Sequence, residues 1–165
     1  MKEGYHPKQR SVETNILTPG GWLTGTFHIP ETASFPEYLN READFDTLTD
    51  VTIAGSDKPV AFFLLHRNMI QLLVPREKSN APFPLLPATA ETRRIFCLMA
   101  GVSITADVQV LKSMRISDFF SRRKGFIVLA DCFIRRIDQG VAKEETFPVV
   151  LLNPDAIIGI TDILT

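Results

Sequence analysis

FDTLTDVTI, residues 45–53, and FIVLADCFI, residues 126–134, lie 81 positions apart and carry Phe, Leu, Asp and Ile at the same places. The echo runs outward from both. Gly21 anticipates Gly101, Phe35-Pro36-Glu37-Tyr38-Leu39 anticipates Ile116-Ser117-Asp118-Phe119-Phe120, and Leu64-Leu65 anticipates Leu151-Leu152. Self-similarity at a fixed spacing is the mark of a repeated structural unit. Two copies of one small β-rich module therefore make up nearly the whole chain.

Each copy reads as about five strands with a short helix between the second and third. In the first copy, residues 12–17 form a strand, Thr18-Pro19-Gly20-Gly21 supplies turn chemistry, and residues 22–29 alternate apolar with small or polar side chains. Gly25 interrupts that alternation, as a kink or a close backbone approach requires. Ser34-Phe35-Pro36-Glu37 is a capping-box pattern and predicts a helix over residues 36–42. Its counterpart is expected from Ser117 to a stop at Gly125. Residues 60–74 read as two strands hinged at His66-Arg67-Asn68, with Asn68 suited to a left-handed turn; Asn153-Pro154-Asp155 takes the hinge place in the second copy. Residues 135–145 read as a longer polar connection. The expected organisation is a first module over 1–75, a proline-rich linker over 76–92 in which Phe83, Leu85 and Leu86 can dock, and a second module over 93–165.

Composition narrows the function. The chain has 165 residues, of which 45% are hydrophobic and 22% charged, and its 18 basic residues against 19 acidic ones give no overall field to attract a polyanion. A nucleic-acid surface would have to be local. The opening MKEGYHPKQR has no apolar core segment and no run of 18 apolar residues follows, so a cytoplasmic location is expected. Cys97 and Cys132 sit in apolar strand-like runs without metal-ligand spacing and are expected to be buried reduced thiols. No cofactor is expected. His6, His28 and His66 fit no metal motif, there is no nucleophile elbow and no glycine-rich phosphate loop, so a non-enzymatic role is expected. Asp50 and Asp131 occupy equivalent places and read as structural acceptors at strand ends. Lys112, Arg115, Arg122, Arg123 and Lys124 cluster about the second helix beside Phe119 and Phe120. They form either a basic face for a ligand or a solvated helix end that the dipole favours.

With that layout the chain resembles the Sm-like family of small bent β-barrels. The first family signature is similar to Gly21-Trp22-Leu23-Thr24-Gly25-Thr26-Phe27 followed, after an insert, by residues 45–53. The second is similar to residues 63–75, with Arg67-Asn68 at the family's Arg-Gly. The second copy matches the first signature at Gly101 and residues 126–131, and the second loosely at residues 151–157. The resemblance implies a mainly β fold of two tandem Sm-like, SH3-like five-stranded bent-sheet barrels, each with an inserted helix. It also implies a binding module that assembles into a ring by pairing terminal strands such as residues 69–74 and 157–160 between chains. With two modules per chain, a homotrimer gives a pseudo-hexameric ring, and RNA is the partner the family suggests. His66, Arg67 and Asn68 would be the contact residues, with Arg122, Arg123 and Lys124 as a further basic contact. Two departures stand against RNA. The family's ligand-contacting loop between its second and third strands is replaced by a helix in both copies, and the Arg-Gly becomes Pro154-Asp155 in the second. A protein-interaction scaffold that keeps the barrel and has lost the RNA pocket is the alternative.

Overall fold

A computed structural model describes residues 7–76, 88–138 and 140–163. Strands β1 (Gln9–Thr18) and β2 (Gly21–Pro30) pair along their whole length and are joined by the tight turn at Pro19 and Gly20. Gly21 closes the turn at a φ of 106°, which a side chain would resist. Alternation along β2 sends Leu23, Phe27 and Ile29 inward. Helix α1 (Phe35–Leu39) starts at the expected capping box: the Glu37 N–H donates to Ser34 Oγ at 3.2 Å, and the Ser34 N–H donates to the Glu37 carboxylate at 3.1 Å. Its two buried residues are Phe35 and Leu39, and Phe35 meets Phe27 edge to face at 5.0 Å. Strands β3 (Phe45–Ile53) and β4 (Val60–His66), a 3₁₀ turn (Arg67–Met69) and β5 (Leu72–Pro75) complete the half.

The second half repeats this order: β6 (Ala90–Met99), β7 (Val102–Leu111), α2 (Ile116–Arg122), β8 (Ile127–Asp138), β9 (Val141–Leu152), a 3₁₀ turn (Pro154–Ala156) and β10 (Gly159–Asp162). The fold is mainly β, and all ten strands form one open antiparallel sheet in the order β10-β6-β7-β8-β9-β5-β1-β2-β3-β4. Both halves thus show the same internal order, fifth strand to first, then second, third and fourth. Register repeats as well. Leu17 faces Leu72 in the first half, and Leu98 faces Gly159 in the second, the equivalent pair. A break in the β2–β3 ladder between Thr24 and Thr26 recurs in β7–β8 between Thr105 and Asp107. Across that break Asp50 and Asp131 take left-handed φ values of 51° and 45°. They lie inside strands, at matched bulges, rather than at the strand ends expected.

Four expectations need correcting. The strand read at residues 69–74 is not a free edge, because β5 pairs with β9 inside the chain, Leu72 opposite Leu152 and Leu73 opposite Leu151. Among the described residues, the free edges are β4 and β10. The polar stretch 135–145 is the outer part of a long β8–β9 hairpin and not a connection; its cross-strand ion pairs, Arg135 with Glu144 and Arg136 with Glu145, substitute for apolar packing. β6 begins at Ala90, within the span read as linker, while Phe83, Leu85, Leu86 and the prolines at 82, 84 and 87 lie outside the described residues. Asn68 sits in the 3₁₀ turn and is not left-handed, since the hinge tightens by short-range helical bonds instead.

Two apolar clusters form the core, one per half, and each borrows from the other. The first-half cluster includes Phe126 and Leu151 from β8–β9 and its approach, and the second-half cluster includes Leu17, Leu72 and Val74 from β1 and β5. The β5–β9 seam is therefore packed as well as hydrogen-bonded. Among the described residues, no helix is long and apolar enough to cross a membrane.

Candidate functional site

Arg67, the leading contact residue of the sequence reading, is buried. Its Nε donates to Asp46 Oδ2 at 2.9 Å, a second nitrogen donates to Asp46 Oδ1, and its Nη1 donates to Leu39 O at 2.7 Å and to Arg41 O. Asp46 is wholly buried, so the two charges neutralise each other in the interior while the guanidinium satisfies carbonyls at the end of α1. That explains why α1 ends at Leu39 instead of Glu42. The guanidinium's planar fork is spent on the fold, and Arg67 presents no face for stacking on a base. Of its neighbours, Asn68 is exposed and His66 is half-buried, with its ring edge-to-face against Phe45 at 4.8 Å. His66 Nδ1 is buried without a hydrogen-bond partner.

Arg122, Arg123 and Lys124 are exposed at the end of α2 and in the turn after it, as both readings of that cluster allowed. Arg123 lies over the buried Phe119 ring at 4.6 Å. The structure brings this run up to the same short stretch that Arg67 braces from the other half: Asn40 Oδ1 accepts from the Phe126 N–H at 2.8 Å. Gly125 between them adopts a φ of 88°, and any Cβ there would collide with the Asn40 amide. Arg41, on the same stretch, is partly exposed, stacks over Tyr38 at 4.2 Å and reaches Asp46 at 3.4 Å. The helix side of the seam thus carries Arg41 together with the Arg122, Arg123, Lys124 run.

A cleft of about 180 Å³ is lined by Asn15, Trp22, Arg76, Arg136, Lys143 and Glu145 among others. Its cations are largely neutralised. Arg136 pairs with Glu145 at 3.1 Å and lies over Trp22 at 5.4 Å, and Arg76 pairs with Glu13 at 2.9 Å. Sequence reasoning singled out none of Asp46, Arg41, Trp22 or Arg136. For Asp46 a signal existed: it shares a strand face with Leu48, and the second copy has Ile127 in its place.

Cys97 and Cys132 are free and buried, as expected, and burial pushes their thiols up to about 11 and about 12, away from the reactive thiolate. Among the described residues no three His, Cys, Asp or Glu side chains gather as metal ligands. Compared with family models, with curated proteins and with solved structures, the chain matches none.

Proposed function

We propose that the chain is a non-enzymatic, Sm-like module, two small bent barrels in tandem, that works as a homo-oligomer. The observation that carries this reading is the seam: the fourth strand of one half adds to the fifth strand of the other, while the outer fourth and fifth strands, β4 and β10, keep one unpaired edge each. A head-to-tail contact repeated by a rotation closes into a ring, and three chains give six barrels. Size-exclusion chromatography with light scattering tests it. A mass three times the 18.5 kDa chain is expected; a monodisperse monomer at micromolar concentration overturns it.

RNA is the ligand that the exposed Arg41, Arg122, Arg123 and Lys124 favour, and the scaffold reading is favoured by the burial of Arg67. Filter binding of uridine-rich and adenine-rich RNA at physiological salt separates them. Salt-dependent binding that is lost on converting Arg122, Arg123 and Lys124 to Glu supports an RNA partner. Affinity no tighter than millimolar, indifferent to those changes, leaves the scaffold.

A further inference from the structure

The two halves reverse their charge at one place in the repeat. At the spacing of 81, Glu31, Arg41, Glu42, Ala43, Asp44 and Asp46 correspond to Lys112, Arg122, Arg123, Lys124, Gly125 and Ile127. One basic and four acidic residues become four basic and no acidic ones. We propose that the second half uses this inversion to bind a small carboxylate with an apolar body, its head on Arg122 and Arg123 and its tail in the cleft between α2 and the paired ends of β6 and β7. The site goes beyond the oligomeric and RNA readings above and needs neither of them.

Two observations carry it. First, these arginines have lost their partners. In the first half Arg41 donates to the Tyr38 hydroxyl at 2.7 Å and reaches Asp46 at 3.4 Å. Around Arg122 the matched places hold Phe119 and Ile127, which can accept from neither side. Arg41, Arg67, Arg76, Arg93, Arg94, Arg135 and Arg136 all pair with carboxylates, whereas among the described residues Arg122 and Arg123 pair with none. Arg123 lies over the Phe119 ring at 4.6 Å, and a cation held by a ring face keeps its N–H fork for a planar carboxylate.

Second, the same two arginines stand at an apolar cleft. It measures about 250 Å³, and Ala90, Val110, Leu111, Met114 and Phe119 line it beside Arg122 and Arg123. Val110 and Phe119 belong to the second-half core and Met114 packs against that core, so the walls are fixed from behind. Gln109, the polar exception in the lining, is already engaged, its Nε2 donating to Thr92 Oγ1 at 2.9 Å. A cavity of about 150 Å³ holds benzene, so this one takes a single ring or an unbranched chain of about eight carbons. Charge complementarity selects among occupants. A phosphate backbone alone would satisfy the arginines and leave the apolar walls wet, and a neutral apolar molecule would fill the cleft and leave the arginines without an anion. An amphipathic carboxylate does both.

Titrating the full chain with sodium octanoate, followed by calorimetry and by backbone amide NMR, tests the site. Saturable binding with a dissociation constant below about 1 mM is expected, with shifts at Val110, Leu111 and Phe119. Butanoate, which lacks most of the tail, and octanol, which lacks the charge, should each bind at least roughly tenfold more weakly, since a buried methylene contributes about fourfold. Arg122→Gln with Arg123→Gln changes two exposed side chains and should weaken octanoate at least roughly tenfold. Ala90→Leu, which fills the cleft and leaves every charge in place, should do the same. Octanol binding as tightly as octanoate, or octanoate binding that survives the double Gln change, overturns the assignment of the head. Butanoate binding as tightly as octanoate, or octanoate binding that survives Ala90→Leu, overturns the assignment of the tail. An absence of saturable octanoate binding overturns the site outright, and sedimentation with phosphatidylglycerol vesicles or retention of RNA in that case would mark a cationic face alone. The mass of the assembly is a separate measurement, so failure here leaves the oligomeric reading standing.

Discussion

Gly25 and Ala106 occupy the same place at the two bulges, and the residue across from each differs to match. A Cβ on Gly25 would sit 3.0 Å from Val51 Cγ2 and 3.3 Å from Leu48 Cδ1. In the second half Ala106 has that Cβ, and Cys132, smaller than Val, stands where Val51 does; both are buried. Gly25→Ala should therefore destabilise by about 1–3 kcal/mol as an overpacked core does, and by less than about 1 kcal/mol when Val51→Cys is already present. Urea midpoints of the four chains measure the coupling, and equal costs in both backgrounds would refute the pairing. The same Cys132, with Cys97, sets an alkaline limit. Burial raises both thiols to about 12 and about 11, above the 9.0 of an exposed thiol, so the folded chain retains protons that the unfolded chain releases. Stability from these groups is whole below pH 9 and is lost as pH rises through the folded values. Replacing both by Ala should flatten the decline in urea midpoint between pH 8.5 and 11; an unchanged slope would assign the decline to other groups. The interruption at Gly25 could be read from sequence because glycine breaks a visible alternation. The left-handed turns of Asp50 and Asp131 could not, since nothing local distinguishes a bulge Asp from a strand-end Asp.

At the scale of elements, the two halves solve one packing problem with different chemistry. Where the first has Asp46 and Arg67 as a buried pair, the second has Ile127 and Pro154, apolar residues at the same two places. A buried pair is costly to break and cheap to replace whole, because removing one partner strands the other charge. Arg67→Ala should cost about 3–5 kcal/mol and fray α1, whose five residues cannot hold a helix alone. Asp46→Leu with Arg67→Met should cost less than half as much. Chemical denaturation decides, and a double change as damaging as the single one would show that the carbonyls of Leu39 and Arg41 matter more than Asp46. This also changes how an RNA assay is read, since loss of binding in Arg67→Ala would report unfolding. Strand number and the start of α1 were legible because alternation and the capping box are local, and α2 was legible only as the counterpart of α1 in the repeat, since Arg115 at its N-cap makes no side-chain cap. The reach of the β8–β9 hairpin was not: Arg135 and Arg136 on one strand and Lys143, Glu144 and Glu145 on the other are charged in succession and show no apolar period to read. The burial of Arg67 was equally hidden, because it depends on Asp46, 21 residues away.

At the scale of the molecule, the repeat was legible and its joining was not. The sequence reading separated two modules by a linker, whereas β5 and β9 bond across the halves and each core takes side chains from the other. Leu72 and Leu73 point to opposite clusters from adjacent positions, and Leu152 and Leu151 face them in the same way. A sheet that continues through such a seam couples its halves, since neither cluster can open without uncovering part of the other. The chain should therefore unfold in one transition, with calorimetric and van't Hoff enthalpies equal. Leu151→Ala provides the sharper test, because Leu151 belongs to the second half by sequence and to the first-half core by packing. Removing it should cost about 2–5 kcal/mol and move the whole transition down, by about 2–4 °C for each kcal/mol in a chain of this length. Two independent bodies would behave otherwise: the scan would split, with a first-half component lowered and a second-half component unmoved. A split of that kind, seen at any scan rate, would mean that the β5–β9 seam does not hold the halves together, and the template for assembly between chains would fall with it.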